Sequence, residues 1–167
     1  MYEEFDPEIS PAAAEGYIVG GETMKIYLKK LRPDAMVPSA ATSAAAGYDL
    51  HACMDSPVEI PPQSTAMIGT GLALGVPEGW FGAIFARSGL ASKQGLRPAN
   101  CVGICDSDYR GEYVVPLYND SEVPRTVYPG DRIAQLVLLP CQCLRFEETE
   151  LLPETERGAG GFGSTGV

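Results

Sequence analysis

Residues 66–86 read AMIGTGLALGVPEGWFGAIFA, which is two apolar runs on either side of the turn Pro77-Glu78-Gly79. Each run, Ala66–Val76 and Trp80–Ala86, is short and is bounded by residues that favour turns. Short apolar runs closed by Gly and Pro are typical of β-strands, because these residues make tight turns and do not continue a helix. The stretch therefore predicts an all-β fold.

The same pattern continues on both sides of this stretch. Upstream, Met24–Lys29 alternates apolar and polar residues with period two, which indicates a half-buried strand. Many short strands at this spacing predict a sandwich or barrel. The sequence predicts one helix, of one or two turns around Ser88–Gln94, and Pro116 predicts an edge or a bulge in its strand. The remaining predicted strands are Gly47–Ala52, Val58–Ile60, Cys101–Cys105, Glu112–Tyr118, Thr126–Tyr128, Ile133–Leu139 and Leu144–Phe146.

The two ends of the chain differ from this centre. Residues 1–23 contain six acidic residues and no Lys or Arg, so we expect an acidic extension before a single domain at 24–150. Residues 151–167 include the glycine-rich segment 158–166, which is typical of a flexible arm.

Composition narrows the function classes. The formal net charge of -10 disfavours a nucleic-acid partner, because binding a phosphate backbone needs a basic face. No run of 18 apolar residues and no leader-like segment is present, so we expect a cytoplasmic protein with no membrane partner. Five cysteines and one histidine favour reduced thiols over disulfides or a zinc site.

Five segments place charged or hydroxyl side chains next to glycine, and each has a structural alternative. In the first, Ala45–Leu50, the carboxylate of Asp49 would hold a water bound to Mg²⁺ or would pair with an arginine, and a solvated strand residue is the alternative. In the second, Arg87–Ala91, an arginine, a hydroxyl and free backbone N–H groups at a helix start would bind an anion. The alternative for the second segment is an ordinary helix N-cap.

The third and fourth segments interrupt apolar strands with polar side chains. Asn100–Glu112 puts four charged residues into one turn, for which a surface hairpin and a calcium loop are alternatives, although the rest of an EF-hand is missing. In Gly130–Val137, Arg132 and Gln135 lie in an apolar strand, and buried polar groups need partners. We expect Arg132 to form a structural ion pair with an acid of another segment.

The fifth segment, Arg157–Gly166, combines glycines, hydroxyls and an arginine, the residue types with which a loop holds phosphate. No Lys precedes Ser164, so the Walker pattern is not met. Phe162, flanked by glycines, is placed to stack on a flat ring. A flexible tail is the alternative.

Taken together and in this order, the five segments resemble the motifs of the trimeric dUTPase family, as AGYDL, RSGLA, GICDSDYRGE, GDRIAQLV and RGAGGFGSTG. The resemblance implies a jelly-roll-like β-barrel that closes into a homotrimer, in which the C-terminal arm reaches a neighbouring subunit. It also implies hydrolysis of the substrate dUTP to dUMP and pyrophosphate with Mg²⁺. That activity would limit uracil in DNA and supply dUMP for thymidylate synthesis.

The resemblance further assigns roles by matching position. Asp106 would be the catalytic residue that activates the attacking water, and Tyr109 would pack under the deoxyribose and leave no room for a 2′-hydroxyl. Asp49 would touch Mg²⁺ only through water, because the substrate phosphates would hold the ion. The other substrate-binding positions are Arg87, Ser88, Gly89, Asn100, Gly103, Ile104, Cys105, Val114, Gln135, Arg157, Phe162, Gly163, Ser164 and Thr165.

These substrate-binding positions fall into four groups. Asn100 would read uracil together with main-chain groups around Ile104 and Val114. The RSG segment would contact phosphate, and Gln135 would orient its serine. The outer phosphates would be contacted by Arg157, Ser164 and Thr165. Phe162 would stack on the uracil ring.

Two alternatives to this function stay open at the level of sequence. A dCTP deaminase shares the fold, but its catalytic glutamate would fall at Pro116, which cannot act as an acid or base. A nucleotide-binding regulator would keep the pocket and act through protein contacts, for which the acidic extension is suited. Asp106 and a complete fifth motif favour the enzyme. Cys105 stands where the family usually has Ile, and its small apolar side chain should leave the position of Asp106 unchanged.

Overall fold

The computed structural model describes residues 24–161, and residues 1–23 and 162–167 lie outside the described part. The described residues form twelve β-strands and one short helix, which confirms the predicted all-β class. The strands are β1 (Tyr27–Lys30), β2 (Ser39–Ala40), β3 (Tyr48–His51), β4 (Val58–Ile60), β5 (Thr65–Gly69), β6 (Leu72–Gly75), β7 (Trp80–Phe85), β8 (Leu96–Pro98), β9 (Gly103–Cys105), β10 (Val114–Asn119), β11 (Arg125–Val127) and β12 (Arg132–Pro140).

The strands pair in four antiparallel sheets. The largest has the order β2-β3-β12-β7-β9, and a three-stranded sheet has the order β5-β10-β8. Two-stranded sheets are formed by β1 with β6 and by β4 with β11. The longest strand, β12, carries the fourth motif and pairs with β3, which carries the first motif, and with β7, which directly precedes the second.

One main core lies between the sheets. Alternate residues of β10, among them Val115 and Leu117, are buried, and residues of β3, β5 and β12 face them. Each large aliphatic side chain removed from water in this way contributes about 1.5–3 kcal/mol. The most completely buried aliphatic side chains are Leu50, Ile60, Ile68, Leu72, Leu96, Val115, Leu117 and Ile133.

The one helix within residues 24–161, α1 (Ser88–Gln94), has the predicted bounds. It ends at Gly95, whose φ of 69° is left-handed and is accessible to glycine without strain. No helix in residues 24–161 is long and apolar enough to cross a membrane.

Several strand predictions need correction. The run Ala66–Val76 is two strands, because the chain turns at Thr70-Gly71, where Gly71 has a φ of 66°. The predicted strand Leu144–Phe146 is wrong: this segment is coil, and Phe146 is 90% exposed. Its alternation indicates a strand only where a neighbouring strand can accept the backbone hydrogen bonds, and no described strand of this chain pairs with it.

Strand β10 is the middle strand of its sheet, but β8 pairs only with Leu117–Asn119, so Pro116 lies at a local edge, as predicted, and not at a bulge. In an antiparallel strand the nitrogen and carbonyl of one residue point to the same neighbour. The carbonyl of Pro116 accepts a hydrogen bond from the N–H of Ala99, one residue beyond the end of β8. The missing N–H therefore faces the place where β8 stops, and the sheet loses no interior hydrogen bond.

Asn119 at the end of β10 is a buried hydrogen-bonding centre. Its side-chain N–H groups donate to the carbonyls of Ile60 and Val123 at 2.9 and 2.8 Å. Its side-chain oxygen accepts from the N–H and hydroxyl of Ser121 at 3.0 and 2.7 Å. The side chain thus joins β4, β10 and the turn that leads to β11.

We predict that Asn119→Ala lowers the free energy of unfolding by about 2–4 kcal/mol, because it leaves buried carbonyls without donors. Urea denaturation should show a lower midpoint with an unchanged slope. The matched control Glu122→Ala, at an exposed position in the same turn, should stay within about 0.5 kcal/mol of the unchanged protein. Equal stabilities for the two variants would contradict this account of Asn119.

Candidate active site

A cleft of about 290 Å³ opens between β9 and β10, and we call it the β9–β10 cleft. It is floored by strand residues and closed at one end by the turn that joins the two strands. Seven of the predicted site residues line it, namely Asn100, Gly103, Ile104, Cys105, Asp106, Tyr109 and Val114. The third motif, read from the sequence as a polar turn, is therefore one wall of a pocket.

The turn that closes one end of this cleft is stabilised by hydrogen bonds among its own residues. The N–H of Tyr109 donates to the carbonyl of Asp106 at 3.1 Å, and the guanidinium of Arg110 donates to the carbonyls of Ser107 and Tyr109 at 2.6 and 2.8 Å. The Tyr109 ring folds over Gly111, where a Cβ would collide with the ring. Asp106 and Tyr109 are both solvent-exposed and available to a ligand.

The lining of the cleft includes two neighbouring residues, the half-buried Cys105 and the fully buried Tyr113. The hydroxyl of Tyr113 is buried and has no hydrogen-bond partner among the described residues. It lies over Gly82, where an added Cβ would be 3.2 Å from the hydroxyl oxygen. Burial raises the pKa of the Tyr113 phenol and of the Cys105 thiol, so both stay neutral at physiological pH.

A second cleft, of about 500 Å³, lies beside the start of α1, and we call it the α1 cleft. Five predicted site residues line it, namely Asp49, Arg87, Ser88, Gly89 and Gln135. These residues come from the first, second and fourth motifs, which the pairing of β3, β12 and β7 brings together. The cleft thus combines an arginine, a hydroxyl, an amide and backbone N–H groups, which suits an anionic ligand.

Asp49 joins two arginines at the edge of the α1 cleft. Its carboxylate accepts from Nε of Arg87 at 2.8 Å and from Arg132 at 3.3 Å. The structural ion pair expected for Arg132 is confirmed, and its acid comes from the first motif. Because the Asp49 side chain is only 15% exposed, this contact also fixes the direction of Arg87.

Gln135 and Ser88 show how the α1 cleft is shaped. The amide N–H of Gln135 donates to the carbonyl of Ala86 at 2.8 Å, which holds the chain just before Arg87. Gly47 leaves room for this side chain, because a Cβ there would lie 2.5 Å from Oε1 of Gln135. The alternative that Ser88 is an ordinary N-cap is wrong, since Arg87 occupies the N-cap position and no side chain of the described residues caps the helix.

The two clefts are separate in one chain and share no lining residue. Cys105 pairs with Gly82 near the start of β7, so Asp106 lies beside Phe81. Arg87 comes six residues later along the extended chain, which corresponds to about 20 Å at the rise of a β-strand. The two clefts thus lie near opposite ends of β7.

The remaining predicted residues lie in the arm. Arg157 is exposed, lines neither cleft, and donates to the carbonyl of Gly160 at 2.8 Å. Phe162, Gly163, Ser164 and Thr165 lie outside the described residues. Within residues 24–161, no group of three or more His, Cys, Asp or Glu side chains is placed to hold a metal ion.

Sequence reasoning missed the roles of Glu112 and Tyr113. Both line the β9–β10 cleft, and the Glu112 carboxylate accepts from the N–H of Gly71 at 2.7 Å. In the sequence, Glu112 is one of four charged residues in the third motif. Its hydrogen bond to Gly71 could not be predicted, because a contact between residues 41 positions apart leaves no local pattern.

The chain is similar to known proteins over most of its length. The family profile described as dUTPase matches residues 34–166. This chain belongs to the dUTPase family. It is 49% identical over 148 residues to the deoxyuridine 5′-triphosphate nucleotidohydrolase of Desulfitobacterium hafniense strain DSM 10664 / DCB-2, covering 87% of this chain and 98% of that protein. The protein of that name from Coxiella burnetii strain RSA 331 is 46% identical over 144 residues, covering 86% and 95%.

Solved dUTPases also share the fold. The dUTPase of Staphylococcus bacteriophage 80alpha, solved with dUPNHPP, matches with a TM-score of 0.80 and 29% identity, and the match covers 87% of this chain and all of that one. The jelly-roll-like dUTPase fold expected from the motifs is therefore confirmed. The profile match includes both clefts and extends into the arm, so all five motifs lie within it.

Proposed function

We propose that this protein hydrolyses dUTP to dUMP and pyrophosphate. The observation that carries the proposal is the β9–β10 cleft, in which a strand-walled pocket ends at an exposed carboxylate and an exposed tyrosine, Asp106 and Tyr109. The relatives named as deoxyuridine 5′-triphosphate nucleotidohydrolases support the substrate. So does the phage dUTPase solved with dUPNHPP.

The nucleoside half of dUTP binds in the β9–β10 cleft. Strand β9 is the edge strand of its sheet, and β8 does not extend alongside Val114 of β10, so backbone groups on these facing sides are available to the edge of a base. Asn100 stands beside Gly103, where a Cβ would be 3.5 Å from the side-chain nitrogen of Asn100. Uracil read by such groups is distinguished from cytosine, because a mismatched base leaves buried donors or acceptors unpaired. Tyr109 lies under the deoxyribose.

The phosphates bind in the α1 cleft. Arg87, Ser88 and Gly89 contact them, and Gln135 sets the position of this segment through Ala86. Asp49 accepts a hydrogen bond from Nε of Arg87, so the rest of the Arg87 guanidinium is available to bind phosphate. Arg157 with Ser164 and Thr165 of the arm contacts the outer phosphates, and Phe162 covers the base.

A complete site needs more than one copy of the chain. The catalytic carboxylate and the phosphate-binding arginine lie about 20 Å apart along β7 in one chain, whereas both must reach the same triphosphate. A homotrimer, in which one subunit supplies the β9–β10 cleft and the next the α1 cleft, removes this conflict.

The apolar surfaces of the chain support the same assembly. Leu144, Phe146, Leu151 and Leu152 are each more than 70% exposed in the segment that leads to the arm. An apolar groove of about 510 Å³ lies between β1, β3 and β12, with Ile26, Leu28, Leu74, Leu136 and Leu138 in its lining. We propose that such surfaces are buried between subunits when the arm of one subunit crosses to its neighbour.

The chemistry follows from this placement. Asp106 orients a water for in-line attack on the α-phosphorus and accepts its proton, a general-base contribution typically worth about 10²–10⁴-fold. The bond from the α-phosphorus to the bridging oxygen breaks, and pyrophosphate leaves. Arg87 and Arg157 stabilise the negative charge that spreads over the phosphate oxygens. Closure of the arm excludes bulk water from the site.

A magnesium ion fits these residues as a companion of the substrate. The described residues offer no cage of carboxylates, and both oxygens of Asp49 already accept from arginines. Mg²⁺ commonly keeps several waters and binds through substrate phosphates with one or two carboxylates nearby, so Asp49 would hold it through water. When bound, the ion neutralises phosphate charge.

We predict that pyrophosphate is released from dUTP and not, at comparable rates, from dCTP, dTTP or UTP. The β9–β10 cleft reads both base and sugar, so each competitor violates one contact. The measurement is pyrophosphate release with Mg²⁺ and each nucleotide separately. Ammonia release from dCTP would favour a deaminase instead. Nucleotide binding without pyrophosphate release from any of the four would favour a regulator.

We also predict that Asp106→Asn lowers kcat by at least about 10²-fold and leaves the Kd for dUTP nearly unchanged, because the amide cannot accept the proton of water. Single-turnover kinetics and calorimetric titration separate the two effects. Asp108→Asn, which removes a charge from the same turn, serves as the matched control and should keep its activity. Near-normal turnover by Asp106→Asn would overturn the assignment of the base.

A further inference from the structure

Glu112 is an acidic residue in a cleft proposed to receive a polyanionic substrate, so it is poorly suited to bind that substrate itself. It follows Gly111 at the end of the turn that carries Asp106 and Tyr109, and it lines the β9–β10 cleft. Both its main chain and its side chain are hydrogen-bonded. The carbonyl accepts from the Tyr109 hydroxyl at 3.0 Å, and Oε1 accepts from the N–H of Gly71 at 2.7 Å.

The turn that receives the Glu112 carboxylate is firmly fixed. We define it as the β5–β6 turn, Gly69–Gly71. Thr70 is fully buried, and its hydroxyl donates to the carbonyl of Tyr113 at 2.6 Å. Gly71 is left-handed, and a Cβ there would lie within 3 Å of Cys53 and Ala35. The turn is therefore an anchor that cannot follow a displaced Glu112.

Glycine at the start of the β5–β6 turn also serves Glu112. A Cβ on Gly69 would lie 2.6 Å from Oε1 of Glu112, so a larger residue would push the carboxylate from its place. The hydrogen bond between Glu112 and Gly71 thus depends both on the acid at position 112 and on a glycine at position 69.

The contact holds the residue whose carbonyl accepts the Tyr109 hydroxyl, next to the backbone hydrogen bond from Tyr113 to Leu72 at 2.8 Å. That ring packs on Gly111 on one side, lies 6.1 Å from the Tyr113 ring, and is held at its hydroxyl by the main chain of Glu112. A shift of Glu112 would carry the hydroxyl with it and tilt the exposed ring. Ribose differs from deoxyribose by only one oxygen atom, the 2′-hydroxyl. A displacement of the Tyr109 ring by well under 1 Å therefore changes whether ribose fits.

We propose that Glu112 is a positioning residue for sugar selectivity, which holds Tyr109 at the height that excludes a 2′-hydroxyl by anchoring it to the β5–β6 turn. The inference rests on the proposed function, in which Tyr109 lies under the deoxyribose. It adds a residue that acts on sugar selectivity through Tyr109.

The test is the ratio of kcat/KM for dUTP to kcat/KM for UTP, measured on one preparation so that any unfolded fraction cancels. Glu112→Ala should lower this ratio about tenfold or more, since small displacements in a site have large kinetic effects. Glu112→Gln should restore most of the ratio, because its amide oxygen accepts the same N–H. Gly69→Ala should lower the ratio in the same direction without changing residue 112.

Two further variants separate the possible failures. Glu59→Ala removes an exposed acid on β4 and should leave the ratio unchanged. Tyr109→Ala should lower it at least as much as Glu112→Ala. If Tyr109→Ala leaves the ratio unchanged, the sugar role in the proposed function is wrong and this inference falls with it. If Tyr109→Ala lowers the ratio but Glu112→Ala and Gly69→Ala do not, only the role of Glu112 is overturned.

Discussion

The pairing of β7 with two different neighbours is the constraint on which the rest of the structure depends. Through β12 and β3 it brings Asp49 and Gln135 to Arg87 at one end. Through β9 it places Asp106 near the other end, beside Phe81. A strand is stiff, so this pairing both shapes the α1 cleft and the β9–β10 cleft and keeps them apart. The proposed sharing of sites among subunits follows from that separation and from the apolar segment after β12.

Local electrostatics resolve an apparent conflict between a protein of net charge -10 and a polyanionic substrate. Arg87 and Arg132 converge on one acid, Asp49, so the α1 cleft keeps a local excess of positive charge. Arginine suits this role because its planar group can face a carboxylate on one side and phosphate on another. The six acids in residues 1–23 lie outside the described part and account for much of the net charge.

The sequence predicted the elements whose pattern is local. The alternation in β10, the helix over Ser88–Gln94 and the all-β class were readable, because burial on one face imposes period two and glycine marks the helix end. Strands β2 and β8 are too short to alternate, and Leu144–Phe146 alternates without a partner strand in the described chain.

Contacts between distant residues could not be predicted from the sequence. The ion pair of Arg132 was expected without its acid being identified, and the anchoring of Glu112 at Gly71 was not foreseen. The role of Asp106 came from the resemblance of the motifs, since an exposed acid in a turn has no distinctive pattern.

The most direct test of the account is whether two damaged chains complement each other. One chain carries Asp106→Asn and the other Arg87→Gln, and the two are refolded together in equal amounts. In a cyclic trimer with shared sites, about three-quarters of the assemblies are mixed and each has one intact site of three, so about a quarter of the normal pyrophosphate release from dUTP should return. If verified subunit exchange gives no more activity than the two parent variants alone, each site lies within one chain and the central claim is wrong.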